Sequence, residues 1–85
     1  MSVKLVYFAW VRERIGKPDE ILDIPENVKT IGELIRFLAA RDENYGYAFE
    51  KAPFIRAAID RKHAKHDTLI AGAREIAFFP PMTGG

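Results

Sequence analysis

Residues 30–41 read as the one long amphipathic helix of this 85-residue chain, and that helix constrains everything else. Thr30 and Glu33 have the spacing of a capping box, in which each side chain satisfies a free backbone N–H. Ile31, Leu34, Ile35, Leu38 and Ala39 then recur at i, i+3, i+4, i+7 and i+8, which makes one apolar face. Phe37 lies off that stripe, and the pattern leaves open whether it packs under the following loop or faces solvent. Acids are disfavoured at the negative end of a helix dipole, so Asp42-Glu43-Asn44 reads as the helix exit. One apolar helix face with no comparable helix to receive it needs a sheet to cover it.

The remaining apolar runs are short enough to be the strands of that sheet. Residues 3–8 (VKLVYF) carry one charge and read as a central strand, while residues 9–15 form a two-turn helix ended by Gly16-Lys17-Pro18-Asp19. Residues 20–24 (EILDI) give a second strand. The stretch from Asp42 to Pro53 reads as a loop with room for one helical turn. Residues 54–59 (FIRAAI) give a third strand, and the polar connection over 60–67 has room for a short edge strand. Leu69-Ile70-Ala71 is a small apolar anchor, and Gly72 marks the turn into a last strand at Ile76-Ala77-Phe78-Phe79. The expected fold is α+β, with one main helix across a mixed sheet of four to five strands. This order is that of a β-grasp, or ubiquitin-like, fold. The domain is expected over residues 1–79, with residues 80–85 as an extended tail.

Internal catalysis finds no constellation. The chain has no cysteine, which removes disulfides, iron–sulfur clusters, cysteine zinc sites and thiol nucleophiles together. Ser2 is the only serine and sits in no strained elbow. Gly16, Gly32, Gly46 and Gly72 are isolated, so no phosphate loop forms. His63 and His66 have metal-like spacing but no further strong ligand, and a solvated loop is the expectation over a metal site. Phe8 and Trp10 are expected in the core rather than as a ligand platform. Thirteen basic and twelve acidic residues are well mixed, for a net charge of +1, which gives no case for nucleic acid or membrane. No apolar stretch approaches membrane-spanning length and no signal-peptide pattern opens the chain, so a cytoplasmic protein is expected.

The C-terminal end stands apart. Pro80 and Pro81 stop the last strand, since proline has no N–H for a sheet ladder. Met82 and Thr83 follow, then Gly84 and Gly85. Diglycine has no side chains and can thread a slot too narrow for other residues. The reactive group it offers is the α-carboxylate. A frayed terminus is the bland alternative; a stiff arm leaving directly from a core strand favours function.

Three stretches resemble the small subunit of molybdopterin synthase, the MoaD-type sulfur carriers. The opening Val3-Lys4-Leu5-Val6-Tyr7-Phe8-Ala9, with Arg12-Glu13 and Gly16, resembles the family's first strand and turn. Residues 54–60 resemble its third strand, where the family often has asparagine at the position of Asp60. Residues 75–85, EIAFFPPMTGG, resemble the terminal motif almost residue for residue. One departure stands out: Ala73-Arg74 occupies positions where the family usually has Gly-Asp, with a glycine one place earlier at Gly72. That puts the turn geometry there in question, but not the tail.

The resemblance implies that Gly85 is adenylated by a separate activating enzyme at the expense of ATP and then converted to a thiocarboxylate. It implies that the tail, with Gly84 threading, inserts into the large subunit of the synthase, which forms a heterotetramer with the carrier. There the thiocarboxylate delivers sulfur to a cyclic pterin monophosphate precursor. No cofactor and no metal is expected on this chain itself. Phe79, Pro80, Pro81, Met82 and Thr83 are the expected partner contacts. Two rivals share the fold: a sulfur carrier for thiamine synthesis or tRNA thiolation, and a β-grasp binding module without chemistry at its end.

Overall fold

The computed structural model describes residues 1–81. Five strands form one mixed sheet: β1 (Ser2–Tyr7), β2 (Asp19–Asp23), β3 (Arg56–Ile59), β4 (Lys62–Ala64) and β5 (Glu75–Phe79). Their order is β2-β1-β5-β3-β4, so the last strand is the middle one. It runs parallel to β1 and antiparallel to β3. This is the β-grasp arrangement expected from the sequence.

Three helices accompany the sheet: α1 (Ala9–Ile15), α2 (Ile31–Ala39) and α3 (Glu43–Ala48). Ile31, Leu34, Ile35 and Leu38 of α2 are all buried against the sheet's inner side chains Val3, Leu5, Tyr7, Ala57, Ile76 and Phe78. The capping box forms as expected. Thr30 Oγ1 accepts from Glu33 N at 3.1 Å, and Glu33 Oε1 accepts from Thr30 N at 3.1 Å. The carboxylate of Glu33 also accepts from Lys29 N at 2.9 Å, and these backbone donors hold its pKa below the ordinary value. The next free N–H groups of the helix reach outside it. Ile31 N donates to Thr68 O and Gly32 N donates to His66 O. Phe37 is half-buried and packs against the core.

Several expectations need correction. The segment after α2 is not a loop with an acidic exit. Asp42 is the N-cap of α3, accepting from Tyr45 N at 3.1 Å, so the acids that end one helix begin the next. Gly46, within α3, permits the close approach of the two helices: a Cβ there would lie 3.3 Å from Ala39 O. A 3-10 turn at Ala52–Phe54 then shortens the third strand, which starts at Arg56 rather than Phe54. Pro53 has no N–H to donate and is compatible with that turn. The second strand starts at Asp19 and ends at Asp23, one residue earlier than expected.

Candidate functional site

The site is built around the end of β5. Its burial pattern alternates little because a middle strand is covered on most of its surface: Ile76, Ala77 and Phe78 are all buried. Phe78 belongs to the core. Its ring stacks on Tyr7 at 6.4 Å between centroids and meets Phe49 edge-on at 5.4 Å. Phe79 points to the other face, half-buried, with the His63 ring edge-on at 6.4 Å. The ladder's last bond beside this point is Phe8 N to Phe78 O, 3.1 Å. Pro80 and Pro81 follow, both half-buried, and cannot extend it. Met82, Thr83, Gly84 and Gly85 lie outside the described residues.

The register shows what surrounds the exit on the sheet's outer face. Arg56 pairs with Phe79, Ala58 with Ala77, and His63 with Ala58. One position past the parallel pair Tyr7–Phe78, Phe8 stands beside Phe79. Phe8 is not core, as the sequence reading expected, but 48% exposed. It remains extended while Ala9 enters α1 with φ 52°, so the chain turns inward only after Phe8. Trp10 fares better: it packs partly buried against the core, with the Arg14 guanidinium 4.4 Å from its ring centroid. That guanidinium also lies 4.0 Å from the Tyr47 ring, clamping α1 to α3.

The turn into β5 resolves the question raised by Ala73-Arg74. Gly72 takes the left-handed conformation at φ 82°, and Ala73 N donates to Ile70 O at 3.0 Å. Asp60 supplies the remaining tie. Its Oδ1 accepts from both Arg74 N and Glu75 N at 3.0 Å each, fixing where the middle strand begins. Asp60 and Arg61 both have positive φ, as a two-residue hairpin turn between β3 and β4 requires. Aspartate tolerates that region better than most residues.

The histidines separate. His63 is exposed on β4, whereas His66 is half-buried and its Nε2 lies 2.7 Å from Ile55 O. His66 is therefore a tie between the 66–70 connection and the start of β3, not a solvated residue.

A polar cluster beneath the exit was missed by the sequence reading. Glu20 Oε2 accepts from Tyr7 Oη at 2.8 Å and from Tyr45 Oη, and Lys17 Nζ lies 3.5 Å from Glu20 Oε1. These contacts join β1, β2, α1's exit and α3. Burial pushes the Tyr7 and Tyr45 hydroxyls up, and their bonds to Glu20 add to this. Burial also disfavours the Glu20 carboxylate, but the two phenols, Lys17 and Arg41 outweigh it and hold its pKa below the ordinary range. A signal was available. An inward-facing tyrosine in a core strand needs a hydrogen-bond partner.

This cluster predicts acid sensitivity. A carboxylate with a depressed folded pKa stabilises fully above its unfolded value and loses that contribution as pH falls through the folded one. The urea midpoint should therefore fall as pH drops below about 4.5. Glu20→Gln should be less stable at pH 7 and show a shallower acid slope. A slope equal to that of the parent chain would remove Glu20 as its source.

A sheet in this order, with a helix across one face and a middle strand leading to a proline-led end, defines a ubiquitin-like β-grasp protein. The chain belongs to the ThiS family, whose model matches residues 5–85. It is 30% identical over 83 residues to the molybdopterin synthase sulfur carrier subunit of Escherichia coli, covering 98% of this chain and 99% of that one. It is 31% identical over 88 residues to the molybdopterin synthase sulfur carrier subunit of Mycosarcoma maydis, covering 99% and 94%. The fold also matches the crystal structure of SAMP1 from Haloferax volcanii, with a TM-score of 0.71 at 23% identity and complete coverage of both chains. Among the described residues, no helix is long and apolar enough to cross a membrane.

Proposed function

We propose that this chain is the sulfur-carrying small subunit of a molybdopterin synthase. The observation that carries the reading is the junction of fold and terminus. The middle strand of the sheet runs directly into Pro80-Pro81 and a sequence ending Gly84-Gly85, within a chain alike over nearly its full length to molybdopterin synthase sulfur carrier subunits. The same relatives favour this reading over a carrier for thiamine synthesis or tRNA thiolation.

The chemistry follows from the terminal carboxylate. Its pKa is about 3.5, so it is ionised and a poor electrophile. One carboxylate oxygen of Gly85 attacks the α-phosphorus of ATP on the activating enzyme, and pyrophosphate leaves. A sulfide-level sulfur then attacks the acyl carbon, and AMP leaves with that oxygen. The product is a C-terminal thiocarboxylate. In the synthase its sulfur attacks the cyclic pterin monophosphate precursor, and water cleaves the acyl–sulfur bond to restore the carboxylate. Two such deliveries complete a dithiolene. Splitting one hard transfer into activated steps is the logic of covalent catalysis.

The chain's own part is reach and docking. Gly84 passes the narrow channel, while Phe79, Pro80, Pro81, Met82 and Thr83 contact the large subunit. The complex is a heterotetramer in the cytoplasm. ATP is the activating enzyme's substrate, and this chain holds no cofactor. Intact and tandem mass spectrometry of the chain isolated from its own cells tests the reading. One oxygen-for-sulfur exchange located at Gly85 is expected. A fully loaded population without that exchange, modified at another residue, would overturn it.

A further inference from the structure

The overall charge of +1 conceals an uneven sheet. On the outer face beside the tail exit, the register sets Phe8, Phe79 and Arg56 in one row. The pairing of Ala57 with Ala64 continues that row to Lys65. His63 stands in the next row, opposite Ala58. The row is thus aromatic on its β1 side and cationic on its β4 side. Arg56, His63 and Lys65 are all exposed, and they line a hollow of about 150 Å³ with Pro53 and His66.

Asp60 and Asp67 bracket the basic run in the sequence, and Asp67 is exposed and forms no ion pair with it among the described residues. Asp60 spends an oxygen on two backbone amides at the opposite end of β3. Glu75 is paired in register with Lys4, again away from the exit. Asp19 and Asp23 lie on β2, the other edge of the sheet. Ion pairs among the described residues join Met1 to Asp23, Arg14 to Glu50 and Lys17 to Glu20, and none involves Arg56, Lys62 or Lys65.

We propose that the large subunit presents carboxylates opposite Arg56 and Lys65, so that an acidic strip meets the β4 side of the exit while apolar surface covers Phe79. The inference rests on the sulfur-carrier reading for the identity of the partner. Its physical content is orientation. Burial of apolar surface alone is non-directional. A charge pattern on one flank steers the encounter and sets which way the carrier lies, which determines where the tail points.

The test measures association of the full chain with its large subunit over a range of salt concentrations. The double variant Arg56→Glu/Lys65→Glu is compared with Lys29→Glu, an exposed lysine before α2 on another part of the surface. Reversal at the exit should slow association about tenfold or more at low ionic strength. The difference should shrink as salt rises, because exposed charges are screened. Lys29→Glu should have little effect. The neutral pair Arg56→Gln/Lys65→Gln should show a smaller loss in the same direction, which separates charge from misfolding. Unchanged association rates in both double variants, with sulfur transfer intact, would overturn the acidic strip and leave the carrier reading standing. Failure of the parent chain to bind the large subunit would overturn both.

Discussion

Removal of Gly85, or addition of one alanine beyond it, is expected to abolish sulfur transfer while leaving the thermal melt unchanged. The proposed chemistry sits on one carboxylate, and its position along the tail determines its reach. A residue at full extension spans about 3.3–3.6 Å. Shortening the arm by that distance withdraws the acyl carbon from the reacting atom, and misplacement of about 1 Å can already cost a hundredfold in rate. Extension moves the reactive end away from the glycine pair and puts a methyl group where a narrow channel accepts none. The fold is indifferent to either change, since the sheet ladder ends before Pro80. A pterin-conversion assay beside a melt separates the two effects. Full activity of the extended chain, with the alanine still attached by mass, would sink the tail mechanism.

How far the sequence could be read depended on the range of the interactions involved. The helix over α2 was legible because its signals are local: Thr30 and Glu33 act within one turn, and the apolar stripe repeats inside nine residues. The strands were legible as short apolar runs, and the unbroken apolar run Ile76-Ala77-Phe78-Phe79 agrees with the two-sided burial of β5 in the structure. The segment after α2 failed because Asp42 fits two local rules at once, an unfavourable C-terminal residue and a good N-cap. In the structure Asp42 caps α3, whose Tyr45 and Ala48 pack into the core. Phe8 failed because hydrophobicity alone does not assign a face; its exposure follows from the register of β1 against β5. The Glu20 cluster was invisible for a similar reason. Tyr7, Glu20 and Tyr45 are separated by 13 and 25 residues and meet only once the sheet and α3 are in place. The terminal motif could be read from residues alone, and the chemistry proposed for it lies at Met82 to Gly85, outside the described residues.

The adjacent phenylalanines at the end of β5 should give opposite results when truncated. Phe78 is fully buried between Tyr7 and Phe49. Phe78→Ala should cost about 3–5 kcal/mol, a large share of the roughly 5–15 kcal/mol that holds a small domain. Phe79 faces the other way, half-buried, beside Arg56 and edge-on to His63. Its ring can leave without opening a cavity in the core, so Phe79→Ala should change stability little. Its loss should be felt in docking. Covering an apolar side chain of this size contributes about 1.5–3 kcal/mol, or about tenfold or more in affinity. The effect should fall on dissociation, because contact area governs residence once the complex has formed, whereas the flanking charges govern approach. Urea unfolding of the free carrier, paired with binding kinetics on the large subunit, distinguishes the two roles. A Phe79→Ala chain that unfolds several kcal/mol earlier would place that ring in the domain's own core. Unchanged dissociation in a stable Phe79→Ala chain would remove it from the interface.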